Sequence, residues 1–439
     1  MTDNFDPHIN CCQFEKDSKL PFYKYKEINI DSRKYKNITT PTQAADMNGL
    51  SRKTLDIFNS LNQNQLIFDN TKIIRDPRTY EGINDIIEGY TNDTTKFLRI
   101  MGIKPNLIEK VSNAISVTSC SFHRDPFKER VSTYSNRKYP PLNKKNFDTF
   151  LHNLYSYSKG MVLVPDIRIQ EIKNTESGVT VTLEEYKKRI DYFTRILSER
   201  NNKPIFVPIQ TKLSEKTTRK ILDFYESKGY TNIWINFSSR PIKGRNLAGL
   251  RTILHTLERR YDPTEFCIFY SHMKKEISPH IKDDKNKPSD IIGQFMGGEI
   301  IGSTTKKLSF FSKENDFEEY LEELGLTKSE YEKRLFIKNN KIFDPYSYYY
   351  YNPVKHPTLI KDDFISKKVD NQNNLMGKAK TCKAIDSYIK INETENLKRI
   401  LHEKNTIRNY IKNKELLQLD SKTHSNIFEN DQNRRIFNF

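Results

Sequence analysis

The chain is 439 residues long, with 36% hydrophobic and 29% charged side chains; at about 150 residues per domain this is two or three domains, or one large α/β barrel with additions. Lysine and arginine number 73 against 56 aspartates and glutamates, a surplus of +17 that favours a polyanionic partner, because each phosphate neutralised releases condensed counterions; a merely solubilising lysine-rich surface is the competing reading. A membrane protein is disfavoured because the longest apolar runs, such as Ile205–Ile209, fall far short of the roughly 20 residues that cross a bilayer.

Residues 1–16 are polar and mixed in charge, unlike a secretory leader. The five cysteines (Cys11, Cys12, Cys120, Cys267, Cys382) form no CxxC pair and no zinc-finger spacing with histidine, so neither a disulfide framework nor a structural metal is expected. The cytoplasm is the expected compartment.

Residues 1–110 read as an N-terminal region that either precedes the main domain or begins it. It mixes a polar loop (Asn37–Gln43) with helical patterns around Ser51–Leu61 and Asn84–Met101. From Ile115 onward, over residues 111–310, short apolar runs alternate with helical periodicity. The runs are Ile115–Phe122, Met161–Ile167, Pro204–Gln210, Asn232–Phe237, Phe266–Tyr270 and Glu299–Gly302. Apolar strands of this length suit a parallel sheet covered on both faces.

Between them, Thr182 and Glu185 form a capping box ahead of the stripe Leu183, Tyr186, Ile190, Phe193 and Leu197. Ser214 caps a helix that ends near Gly229, and a third helix carries Leu247, Leu250, Leu254 and Leu257. Strand and helix repeating every 30–45 residues, with no glycine-rich nucleotide loop after the first strand, predict an α/β fold: a (β/α)8 TIM-type barrel rather than a doubly wound sheet. Residues 311–439 are expected to form a mainly helical, basic appendage. It contains short helices at Asp316–Leu324 and Lys328–Leu335, the tyrosine run Tyr346–Tyr351 and a basic helical stretch at Thr394–Leu417.

In such a barrel, chemistry sits where strands end. That rule selects Ser119, Phe122, His123 and Asp125 around the first run, then Asp166, Gln210, Asn236 and His272, and Glu299 at the last. A carboxylate closing the apolar Val162–Pro165 run is expensive to bury unless it is paired or faces a polar cleft, so Asp166 is either a substrate-binding group or a cap or loop ion pair. Gln210 presents donor and acceptor together, as a heterocyclic base requires, or else makes a loop hydrogen bond. Arg240, Lys243 and Arg245 surround a glycine between strand and helix, an arrangement suited to phosphate, with a solvated basic loop as the alternative. The tyrosine run and the basic helix either stack on bases and meet phosphates or form the core of a small helical domain.

The order of Val164-Pro165-Asp166, a Glu- and aromatic-rich helix at Thr182–Arg200, Phe206-Val207-Pro208-Ile209-Gln210, Ile233–Ser239 and Met296–Gly302 resembles the barrel of the tRNA-guanine transglycosylase superfamily, including relatives that insert 7-deazaguanine bases into DNA. The resemblance spans residues 116–307. It implies a pentosyltransferase that exchanges guanine for a 7-deazaguanine-type base in DNA or tRNA, with no cofactor. Asp166 and Gln210 would read the base, Glu299 or Asp125 would be the nucleophile, and Arg240, Lys243 and Arg245 would hold phosphate.

The chain departs from that family in three places. The nucleophilic aspartate would fall near Gly302; the early Asp-Ser-Gly-Gly-Phe signature is matched only by Thr118–Phe122; and the three-cysteine, one-histidine zinc site is absent. Two other functions compete: a metal-dependent nuclease or other barrel hydrolase built on Asp166, Glu171 and Lys173, and a non-catalytic barrel that binds nucleic acid through its basic surface.

Overall fold

A computed structural model describes residues 10–16, 24–31, 36–47, 50–86, 91–104, 107, 114–131, 138–169, 181–200, 202–277, 285–305, 321–353, 356, 375–402 and 407–428. The apolar runs form parallel strands. Ile67–Ile74 pairs with Ile115–Phe122 over their whole length, and Ile115–Phe122 pairs in turn with Asp166–Ile167. Separated from Asp166 by Val164 and Pro165, Val162–Leu163 pairs on the other side with Ile205–Gln210. That strand is followed across the sheet by Ile233–Arg240, Ile268–Lys274 and Ile300–Ile301. Ile300–Ile301 pairs with Thr42–Gln43, and Ala45–Asp46, just beyond, pairs with Ile67–Ile74. The result is a curled parallel sheet of half-barrel form with helices on its outer face, a mixed α/β architecture.

The curl sorts side chains by the two-residue period of a strand. One set of alternate residues packs outward against the helices, among them Phe68, Val162, Val207, Ile235, Ile268 and Ile301. The other set meets inside the curl: Ile67, Val117, Leu163, Phe206, Trp234, Phe269 and Ile300. Along each strand toward its C-terminal end, this inner row changes from apolar to polar: Asp69 and Thr71, Ser119 and Ser121, Asp166, Gln210, Asn236 and Ser271 are all buried.

Helices Leu183–Ser198, Glu215–Ser227 and Arg245–Arg260 form where the capping and leucine patterns place them. The Thr182–Glu185 capping box is made in both directions.

The N-terminal end of the curl is stoppered. Strands Asn10–Lys16, Lys24–Asp31 and Lys36–Thr40 form an antiparallel sheet, and its Ile28 and Ile38 join the inner apolar cluster. The loop expected at Asn37–Gln43 is therefore strand. The helix expected over Ser51–Leu61 is one turn, Arg52–Leu55, with a 3-10 turn after it. The pattern at Asn84–Met101 divides between Pro77–Asn84 and Thr91–Met101.

Beyond the sheet, Ile342–Asp344 and Tyr349–Tyr351 form a hairpin that pairs with Lys285–Pro288. Tyr348, Tyr349 and Tyr350 are buried there, which makes the tyrosine run core rather than a stacking surface, with Tyr346 alone strongly exposed. The 28-residue helix Leu375–His402 packs on Thr42–Gln43 and Ala45–Asp46, and three shorter helices follow it. Helix Lys328–Asn339 occupies the position read for Lys328–Leu335, while most of Asp316–Leu324 lies outside the described residues. Among the described residues, no helix is long and apolar enough to cross a membrane.

Candidate functional site

Asp166 opens the short strand Asp166–Ile167 instead of closing the run before it, and becomes the hub of a buried network. Gln210 Nε2 donates to its two carboxylate oxygens at 3.2 and 3.1 Å, and Asn236 Nδ2 donates to Oδ2 at 2.6 Å. Asn236 Nδ2 also reaches Ser121 Oγ at 3.0 Å, and its Oδ1 meets His272 Nδ1 at 3.2 Å and the Ser238 amide at 2.9 Å. Four neighbouring strands and the one bearing Ser121 are thus joined through the Asp166 carboxylate and the Asn236 amide, with register fixing the meeting: Ser121 faces Asp166 and Gln210 faces Asn236 across the sheet.

Burial pushes the Asp166 carboxyl up from its ordinary range, against the pull of the Gln210 and Asn236 amides and of Lys212. Burial also drives His272 down to about 4, with the Thr71 backbone opposing, so its ring is neutral at pH 7. His272, Ser238 and Ser239 all hold left-handed backbone (φ 53°, 49° and 65°), a costly conformation for non-glycine residues that clusters at functional positions.

A cleft of about 100 Å³ opens beside this network, lined by Arg75, Arg168, Lys212, Arg240, His123, Ser121 and Ser238 among others. Each cation comes from a different strand end: Arg75 after Ile74, Arg168 after Ile167, Lys212 after Gln210, and Arg240 at the close of its own strand. No carboxylate is among the described residues lining it. His123 Nε2 lies 2.5 Å from Arg168 Nη1, and burial followed by the charges of Arg168 and Arg75 lowers its pKa to about 4. Burial and the neighbouring Arg240 and Arg75 lower that of Arg168 as well. Cations held this close, with no carboxylate among the described residues of the lining, make the cleft electropositive.

A carboxylate overlooked in the sequence stands on the neighbouring strand. Asp69 is wholly buried, accepts the Thr71 amide at 2.8 Å, and is bonded by the Ser303 amide. Burial raises its pKa to about 6, with those two amides pulling it down. A Cβ on Gly302 would collide with Asp69 Oδ2, so this carboxylate fills the space that a side chain at 302 would need. The available signal was the pair Phe68-Asp69, an acid entering the β-branched run Ile67–Ile74.

The remaining expected residues are dispersed. Glu299 lies at the opposite, N-terminal end of the sheet, where its Oε1 is 2.5 Å from Lys26 Nζ and its Oε2 accepts the Ile268 amide at 2.7 Å. The structure therefore does not bring it to Asp166. Asp125 is buried in a turn that accepts the Phe127 amide at 2.9 Å, with Arg189 at 3.8 Å and Lys128 at 4.0 Å. Ser119 donates to the Leu163 carbonyl at 2.8 Å, and the Phe122 ring packs on Tyr80 and Phe147.

Of the three phosphate candidates, only Arg240 lines the cleft; Lys243 and Arg245 are exposed at the start of helix Arg245–Arg260. Glu171 and Lys173 lie outside the described residues, and among the described residues no group of three or more His, Cys, Asp or Glu is arranged to hold a metal ion.

No protein-family model matches the chain, and no curated protein matches its sequence.

Proposed function

We propose that this chain is a nucleic-acid base-exchange enzyme of transglycosylase type, working at the C-terminal mouth of a closed (β/α)8 barrel. Closure is supported by two stretches that hydrogen-bond on both sides, residues 42–46 and 162–167, each bridging from one strand run to the other. The observation that carries the functional reading is one end of the curled sheet holding two buried carboxylates, two amides and a histidine beside a cleft lined by four cations. Gln210, whose Nε2 is spent on Asp166 and the Ile167 carbonyl, keeps its Oε1 as an acceptor for a purine N–H, and the arginines suit the phosphates flanking a flipped-out nucleotide.

In the proposed reaction, an Asp69 oxygen attacks ribose C1′ as the C1′–N9 bond of guanine breaks, and guanine leaves carrying the electron pair and a proton. N9 of the incoming 7-deazaguanine then displaces the carboxylate and gives up its proton, which regenerates the enzyme. Asp166, held up toward neutrality by burial, is suited to shuttle that proton. Asp69 replaces Glu299 and Asp125 as nucleophile because it shares the end of the sheet occupied by Asp166, and because it fills the space at Gly302 where the resembling family has its attacking aspartate.

The test is incorporation of labelled guanine or 7-deazaguanine into mixed tRNA and DNA by the full chain. Exchange is expected with one of these polymers, and Asp166→Asn and Asp69→Asn are each expected to abolish it while the thermal transition persists. Full activity in either variant removes that residue from the mechanism.

A second reading is favoured by the completeness of the network: the oxygens of Asp166 already accept bonds from within the protein. On that reading the barrel only binds nucleic acid, and salt-sensitive binding without exchange would identify it.

A further inference from the structure

Helix Leu375–His402 turns a polar stripe inward. Lys383, Asp386, Ser387 and Lys390 recur at the spacing of one helical face, and Asp386, Ser387 and Lys390 are buried where apolar residues would ordinarily pack. The stripe covers a cavity of about 330 Å³ whose other walls are Gln43, Ala44, Asp46, Lys275 and Gly302–Thr305.

Part of this wall is self-neutralising. Lys390 lies 2.9 Å from Asp290 and 3.2 Å from Asp386, and Lys275 lies 2.8 Å from Asp386. Lys383 stands 3.5 Å from Asp46 at the more exposed edge. Gln43, 2% exposed, gives its Nε2 to the carbonyls of Ile301 and Ala44, and its Oε1 has no hydrogen-bond partner among the described residues. A buried acceptor left unmade costs about 1–3 kcal/mol, so the amide gains by turning its oxygen to a ligand N–H at the cavity wall.

We propose that this cavity is a second binding site, for a free, uncharged nitrogen heterocycle of the nucleobase class. The Gln43 amide and Asp46, both on the cavity wall, offer acceptors to ring and exocyclic N–H groups, and Lys383 with the hydroxyls of Ser387 and Thr304 offers donors to a ring carbonyl. The described wall carries three lysines against two aspartates, unlike the cationic cleft, and so does not select a phosphate. Ser303 connects the two sites: it lines this cavity while its amide holds Asp69. The assignment of the ligand as an incoming base rests on the base-exchange reading; its binding is tested apart from that reaction.

The experiment is calorimetric titration of the full chain, without nucleic acid, by 7-deazaguanine, cytosine and indole. Binding of 7-deazaguanine or cytosine is expected, with indole at least about tenfold weaker because it cannot satisfy the polar wall. Ser387→Leu, which fills the cavity, and Gln43→Leu, which removes the acceptor, are each expected to weaken binding about tenfold or more. Lys383→Ala, at the more exposed edge, removes a donor together with its 3.5 Å pair to Asp46 and is expected to weaken it several-fold. Gln210→Leu, in the other site, should leave this binding in place.

Wild-type affinity in both Ser387→Leu and Lys383→Ala, loss of binding in Gln210→Leu instead, or no binding of any heterocycle overturns the proposal. Base binding that responds to the cavity variants in a protein showing no exchange overturns the catalytic reading and leaves the second site standing.

Discussion

Asp69 sits among backbone amides, wholly enclosed, and its folded-state pKa of about 6 exceeds the ordinary aspartate value of 3.8. Between those two values the folded protein binds more protons than the unfolded chain, so this group's contribution to stability falls as pH rises from about 4 through 6. Two units correspond to roughly 3 kcal/mol at most. Asp69→Asn should flatten that part of the curve: the wild-type transition midpoint should decline across pH 4–6 more steeply than the variant's, by calorimetry. Equal slopes would show that the carboxylate is not enclosed as described. The contact with Gly302 makes an independent prediction. Gly302→Ala forces its methyl against Asp69 Oδ2 and the Phe269 ring, an overpacking that costs about 1–3 kcal/mol. Introduced into Asp69→Ala, the same substitution should cost markedly less, and a double-mutant cycle in denaturant measures the difference.

At the scale of elements, the strands that could be read were those whose inner rows stay apolar for long enough. Ile233–Phe237 is legible because bulky β-branched and aromatic residues occupy both faces of a sheet covered by helices, and Ile115–Phe122 because its uncharged run opens on Ile115 and Val117 and closes on Phe122. Ile67–Ile74 is the same kind of strand, yet Asp69, Asn70, Thr71 and Lys72 interrupt its apolar run, so it passed for irregular chain. The residues that hid the strand are those that furnish the site. The cleft was illegible for a related reason: Arg75, Arg168 and Lys212 each stand alone in sequence and meet only because parallel strands deliver all their C-terminal ends to one side. The visible cluster Arg240-Lys243-Arg245 contributes one residue, since the helix begins at Arg245 and carries that cation away. Gly249, in that helix, shows how tightly it is seated: a Cβ there would strike the Thr211 carbonyl. Gly249→Ala, which ordinarily stabilises a helix by up to about 1 kcal/mol, should instead lower the denaturation midpoint here.

For the whole molecule, the +17 surplus is distributed unevenly in consequence. Many cations are committed to structure: Lys26 anchors the N-terminal sheet to Glu299, and Lys275 and Lys390 fasten the long helix to the strands through Asp386 and Asp290. These buried pairs do not contribute a field to a distant polyanion, whereas Arg75, Arg168 and Arg240 share one cleft without a carboxylate among its described walls. Affinity for nucleic acid should therefore depend on these few residues far more than on net charge. Plotted as log affinity against log salt concentration, wild-type binding to single-stranded DNA or RNA should fall linearly, with a slope near −0.7 per phosphate engaged. Arg75→Ala, Arg168→Ala and Arg240→Ala should each make that slope shallower by about that amount. Lys243→Ala and Arg245→Ala, which remove the same formal charge outside the cleft, should change it little. Equal effects from all five would show that the polyanion spreads over the surface instead of entering the mouth of the sheet.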